Sequence, residues 1–410
     1  MTITAGTAAR ALGSGSDEPI PLVDLPLQHA VIADEILPEL TALMARGGFV
    51  GGPEVSAFEA DYARFVGVRH CIGVGNGTDA LEFALRAAGV GPGDEVVLPA
   101  NTFVASAGAV VRSGATPVFV DCDPEFLLID PDRIASAIGP RCRAVMPVHL
   151  YGQAAPVEAI REITDPAGVS VIEDAAQSQG ARRHGRAAGR LGLAAGTSFY
   201  PGKNLGAYGD AGAVLTDDDE IARRVRRLAN HGSEKKYEHP EIGFNSRLDA
   251  LQAVVLRAKL RRLEAWNGAR VEAAARYDGL LAGLDRVERP RVALGNDPVW
   301  HLYVIRVPHR DAVLQGLTEA GIGAGIHYPL PVPLLPAYAG LGHQQGDFPA
   351  AEAAAARIIS LPLYPGISRQ QQERVVSVLA DVLDNVGRRR GAATGHRNGS
   401  IATSMIGRKP

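Results

Sequence analysis

The chain has 410 residues, 46% hydrophobic and 21% charged, a globular rather than a disordered composition that is too long for one small core. Its 42 basic and 45 acidic residues leave a net charge of −3, so no long-range field gathers nucleic acid or an anionic membrane. There is no apolar run long enough to span a bilayer and no signal-peptide core, and Cys71, Cys122 and Cys142 suggest neither a disulfide framework nor a zinc site; a soluble, cytoplasmic protein without a metal is expected.

Residues 1–19 are small and polar and read as a flexible arm. Ser56 followed by Glu59 reads as a capping box that opens a helix. Strand candidates then follow at Cys71–Gly75, Glu95–Pro99, Pro117–Asp121, Ala144–Leu150, Val169–Asp174, Thr197–Pro201 and Gly212–Thr216. Most are continuous apolar runs, as strands buried on both faces require. Between the first two, Thr78–Ala88 carries Leu81, Ala84, Leu85 and Ala88 on one helical stripe and stops at Gly89. Such alternation predicts an α/β fold with a mainly parallel seven-stranded sheet between helices. A long helical stretch, Leu248–Trp266, leads away from it. Beyond it, Trp300–Pro308 reads as a strand, and Ala312–Ala320 and Ala350–Ile359 read as helices. The organisation expected is a large domain over 20–264, a smaller α+β domain over 265–387, and a flexible basic tail over 388–410 with six Lys or Arg and no acid.

Three segments carry chemistry. Gly75-Asn76-Gly77-Thr78-Asp79 follows a strand and opens a helix, where unpaired amides and a hydroxyl suit a phosphate; a tight turn with Thr78 as a plain cap is the alternative. The glycines there also imitate part of a dinucleotide fingerprint, but position 78 is Thr where a third glycine belongs. Glu173 and Asp174 end an apolar strand at the carboxyl edge of the sheet, where an acid could hold a protonated ring nitrogen, grip a metal or cap a following helix. Lys203 lies in a glycine-rich turn after a strand; it could be an exposed loop lysine, or a partly desolvated amine able to attack a carbonyl. Together the three supply what pyridoxal phosphate needs: a phosphate cradle, a carboxylate that keeps the pyridine nitrogen protonated, and a lysine for the Schiff base. Phe103, just past a strand end, could stack on the ring.

Read in order, GNGTDAL (75–81), PANTFVAS (99–106), HLYGQ (149–153), EDAAQSQGA (173–181), SFYPGKNLGAYGDAGA (198–213), GFNSRLDALQA (243–253), GIHYPLP (325–331) and ISLPLYP (359–365) resemble the DegT family of sugar aminotransferases, within fold type I of the pyridoxal phosphate enzymes. The resemblance implies that Lys203 forms the Schiff base and shuttles the proton, Asp174 pairs with the pyridine nitrogen, and Gln177 approaches the ring hydroxyl. Gly77, Thr78, Asp79 and Ser198 would surround the phosphate, Phe103 would stack, and Asn245 would reach the phosphate of a neighbouring subunit in a homodimer. Tyr200, His327 and Tyr328 would face the sugar. A histidine that relatives often carry shortly after His-Tyr-Pro is absent from Pro331-Val332-Pro333.

The reaction implied moves the amino group of L-glutamate, leaving 2-oxoglutarate, through pyridoxamine phosphate to a keto-deoxyhexose carried on a nucleotide. His231-Gly232-Ser233-Glu234-Lys235-Lys236-Tyr237 resembles a segment of the group that aminates C-3 of a dTDP-3-keto-6-deoxyhexose, for antibiotic or glycoconjugate biosynthesis; amination at C-4 is the alternative. Asn230–Glu241 could form a flap over the nucleotide or a plain surface loop. Rival readings are a non-catalytic regulator that binds the cofactor or a sugar, and a nicotinamide oxidoreductase resting on the imperfect glycine pattern alone.

Overall fold

The computed structural model describes residues 18–395. Most of the arm (1–17) and the end of the basic tail (396–410) lie outside the described residues.

Seven strands form the main sheet: β1 (His70–Val74), β2 (Glu95–Pro99), β3 (Thr116–Val120), β4 (Cys142–Val145), β5 (Ser170–Asp174), β6 (Ala194–Ser198) and β7 (Gly212–Thr216). Their order is β1-β7-β6-β5-β4-β2-β3. Only β7 opposes its neighbours, antiparallel to both β1 and β6; the other pairs are parallel. Six strands therefore point their carboxyl ends to one edge. Helices cover both faces, which is why the strands lack a polar side. On β7, Val214 enters the core beneath α3 (Gly77–Ala87), while Ala213 and Leu215 enter the core beneath α1 (Leu25–Arg46), α2 (Pro53–Val66) and α8 (Ala250–Leu260).

Several boundaries move. β4 ends at Val145 rather than running to Leu150, because Pro147 has no N–H to give the ladder. β6 starts three residues before the expected Thr197. Its sequence AAGTS has little β propensity, but at Gly196 a Cβ would lie 2.7 Å from the Leu81 side chain, so small residues there let α3 pack down on the sheet. Ser56 caps nothing: α2 starts at Pro53 after Gly52, and Glu59 instead accepts from the Gly73 N–H at 2.7 Å. The stretch Leu248–Trp266 is two helices, α8 and α9 (Leu263–Leu280), separated at Arg261 and Arg262, which both pair with Glu35 on α1.

The smaller layer pairs β8 (Tyr303–Arg306) with β9 (Ile358–Leu361), antiparallel, against α9, α10 (Arg310–Glu319) and α12 (Arg369–Gly395). Ile358 and Ile359 thus belong to a strand, and the helix before them, α11 (Pro349–Ala355), is shorter than expected. Ile20 packs with the core of this smaller layer, and its N–H donates to Gly321 O at 2.9 Å. α12 continues past 387 into the span expected as tail, since Arg and Ala sustain a helix despite Gly387 and Gly391. No helix among the described residues is long and apolar enough to cross a membrane.

Candidate active site

The shared strand edge gathers the residues singled out above. β1 delivers Gly75–Thr78, β2 leads to Phe103, β5 ends on Asp174, and β6 ends on Ser198 and leads to Lys203. In α3 the cap is Asn76, not Thr78: its Oδ1 accepts from the Asp79 N–H at 2.9 Å. Gly77 and Thr78 open the helix, so their amides have no partner within it. A Cβ at Gly77 would lie 2.5 Å from Ser198 Cβ. Only glycine lets the start of α3 come this close to the end of β6, and two free amides then meet two hydroxyl-bearing residues at the positive end of a helix. The Asp79 carboxylate is turned to other work. Oδ2 accepts from Ser246 at 2.7 Å and from Asn76 at 3.0 Å, and Oδ1 accepts from Arg112 at 2.8 Å.

Asp174 is buried, and no helix follows it to be capped; residues 175–181 are turn and irregular loop. Its Oδ2 accepts from Ser106 Oγ at 2.6 Å and its Oδ1 from the Ala176 N–H at 3.1 Å. Glu173, its neighbour, points to the opposite side of β5. There it accepts from the N–H groups of Gly189, Leu191 and Gly192 at 2.7–2.8 Å and from His149 Nε2 at 2.7 Å. His149 Nδ1 accepts from the Ala155 N–H, so the ring proton sits on Nε2.

Lys203 lies in a turn closed by Lys203 N–H to Tyr200 O (2.8 Å) and Ala207 N–H to Phe199 O (2.7 Å). Burial pushes its amine down to about 8, against the opposing pull of Asp174. Asn204 ties the turn to α9 by donating to Asn267 Oδ1 at 2.9 Å and to Val299 O at 3.0 Å. His327 is pushed down to about 4 by burial and by Lys203, so it is neutral near pH 7. Burial, then Asp174, raise the Tyr328 phenol. Gln177 bridges the two sides: Oε1 accepts from the Tyr151 N–H at 2.7 Å and Nε2 donates to Tyr328 OH at 3.1 Å. The Phe103 ring is half exposed, 5.2 Å from the Tyr328 ring at 35°.

Two expected site residues lie exposed at the rim, Tyr200 in the Lys203 turn and Asn245 in a cleft with Gly75, Asn76 and Asp79. Tyr200 is 59% exposed, and Asn245 is exposed with its Oδ1 accepting from Arg247 at 2.6 Å. The sequence reading missed Ser106 and its partner Thr102, although two hydroxyls four residues apart inside PANTFVAS were a visible signal. It also missed Asn204, and Lys259, whose Nζ donates to Gly206 O at 2.7 Å in the Lys203 turn.

These residues fit pyridoxal phosphate. The glycine-dependent cradle suits a phosphate, the buried carboxylate faces the low-pKa lysine, and a half-exposed ring stands beside them.

Comparison with known proteins agrees. Residues 30–380 match the model of the DegT/DnrJ/EryC1/StrS aminotransferase family. The dTDP-3-amino-3,4,6-trideoxy-alpha-D-glucose transaminase of Streptomyces venezuelae is 44% identical over 367 residues, 90% of this chain and 97% of that protein. The crystal structure of S. venezuelae DesV in complex with a ketimine intermediate superposes with a TM-score of 0.87 at 44% identity, over 90% of this chain and 99% of that one. Bacillus subtilis ntda with bound cofactor pmp gives 0.79 at 34% identity, over 86% and 82%.

Proposed function

We propose, for a chain that belongs to the DegT/DnrJ/EryC1/StrS aminotransferase family, that it is a pyridoxal phosphate-dependent transaminase placing an amino group at C-3 of a dTDP-linked keto-deoxyhexose. The observation that carries this is the facing pair Lys203 and Asp174 at the strand edge, next to the Gly77–Ser198 cradle. Similarity to the Streptomyces transaminase supports the sugar, the nucleotide and the position. L-Glutamate is the amino donor in this reading.

Bound pyridoxal phosphate supplies an electron sink and a carbonyl that carries the amino group between the two substrates. Asp174 holds the proton on the ring nitrogen. Gly77 and Thr78, with Ser198, bind the phosphate. Lys203 Nζ would hold the cofactor through its carbonyl and would take and return the substrate proton. An amine at about 8 is poised for both directions near neutral pH. Neutral His327, hydrogen-bonded through Nδ1 to Ser360 Oγ at 2.8 Å, and the protonated Tyr328 phenol present polar, uncharged groups to a sugar.

The active unit in this reading is a homodimer. Exposed Asn245 then reaches the phosphate of the neighbouring site, and Tyr200 faces the sugar. The apolar residues Leu27, Val31, Leu37, Met44 and Phe49, all exposed on or just after α1, become its contact. Sedimentation should give twice the chain mass, and a monomer that transaminates would overturn this part.

The test is incubation with L-glutamate and a panel of keto-sugar nucleotides, reading product mass and the carbon that bears nitrogen. A dTDP sugar aminated at C-3 is expected. Amination at C-4, or a bound cofactor indifferent to every amino donor, would refute the reading.

A further inference from the structure

We propose that Ser106 is a positioning residue for Asp174, and that Thr102 fixes the direction in which Ser106 donates. The inference rests on the pyridoxal phosphate reading above and adds a layer beneath it. Thr102, Ser106 and Asp174 are all buried, at 2%, 0% and 5% exposed. Ser106 Oγ lies 2.6 Å from Asp174 Oδ2 and 2.8 Å from Thr102 Oγ1. A carboxylate only accepts, so the single hydroxyl proton of Ser106 goes to Asp174. Ser106 then has only lone pairs left for Thr102, and Thr102 must donate to it. The chain therefore runs one way, Thr102 to Ser106 to Asp174, and each donation strengthens the next.

The placement has a backbone cause. α4 (Val104–Ser113) begins directly after Phe103, and Ser106 sits in its first turn. The positive end of that helix favours a carboxylate at this point. The same short segment serves both aspects of the site: Phe103 projects into the open crevice, while Thr102 and Ser106, on either side of it in sequence, turn inward to Asp174. With Oδ2 engaged by Ser106 and Oδ1 by the Ala176 N–H, the carboxylate plane is fixed from two directions, and it cannot rotate to follow Lys203. An acid that must hold a proton on one ring nitrogen needs that constraint, because a freely turning carboxylate would divide its time between the ring and the nearby amine.

The test is a double-mutant cycle on pyridoxal phosphate affinity, measured by equilibrium binding to the full chain. Ser106→Ala should weaken binding about 5- to 10-fold, the scale of one ordinary hydrogen bond. Thr102→Val should weaken it about twofold, and Ser106→Thr should restore binding to within about twofold of wild type. In an Asp174→Asn background, Ser106→Ala should add less than about a twofold effect, because the group it positions is no longer a carboxylate. Equal effects in both backgrounds, or wild-type affinity in Ser106→Ala, would overturn the proposal. A wild-type chain with no affinity for pyridoxal phosphate would instead defeat the functional reading on which it stands.

Discussion

Glu173 and Asp174 are adjacent in the chain and opposite in task. One carboxylate is walled in by three backbone N–H groups and His149, and the other stands at the strand edge on the bond from Ser106. Strand alternation alone separates them by turning successive side chains to opposite faces of the sheet. The two should therefore respond differently to the loss of a negative charge. Glu173→Gln should cost about 3 kcal/mol of stability, since a buried and fully bonded anion is replaced by an amide that brings donors where donors already stand. Asp174→Asn should leave chemical denaturation close to wild type and slow transamination about 100-fold or more, through loss of the charge that holds the ring proton. A reversed pattern would exchange the roles.

Lys203→Ala should abolish turnover while noncovalent cofactor binding persists. Borohydride treatment of the wild type with pyridoxal phosphate should fix the label on the peptide carrying Lys203. Its rate of formation should rise with pH about a midpoint near 8, set by the burial that lowers this amine. Labelling on another peptide, or a midpoint near the ordinary lysine value, would contradict the assignment.

Gly77→Ala should act through Ser198. The new Cβ would lie 2.5 Å from Ser198 Cβ, forcing α3 away from the end of β6. The expected cost is about 1–3 kcal/mol of stability, with roughly tenfold or greater loss of cofactor affinity as the cradle opens. Adding Ser198→Gly should recover the stability and not the affinity. Recovery of both would mean that the Ser198 hydroxyl contributes nothing to the phosphate site.

Lys259 offers a pH test. Its amine is buried, donates to Gly206 O, lies 4.9 Å from the Tyr208 ring centroid, and is pushed down to about 8 by desolvation. Between about 8 and the ordinary 10.5, the unfolded chain binds a proton there that the folded chain does not, so this residue's contribution to stability rises with pH. The buried thiols Cys71, Cys122 and Cys142, all pushed up by burial, titrate in the opposite sense. The useful quantity is thus the difference between wild type and Lys259→Met at each pH. Wild type should gain on the variant between pH 7.5 and 9.5, by at most about 1.4 kcal/mol per pH unit, as read from chemical denaturation of the cofactor-free protein. A difference that stays flat would mean that Lys259 is not desolvated as described.

The sequence by itself determined the α/β layout and pointed to the candidate residues of the site. Apolar runs that end in Asp174, or lead into Gly77 and Lys203, carry their meaning locally, through periodicity and the special backbone of glycine. It did not place the start of β6, whose Ala194-Ala195-Gly196 reads as no strand until α3 is seen packed on Gly196, nor the break at Arg261 and Arg262, which Glu35 of a distant helix imposes. That Ser106 stands behind Asp174 was decided only when residues 68 positions apart met. Hydrogen-bond partners across the sheet are set by how strands and helices stack, and a linear pattern of polar and apolar residues does not encode that distance.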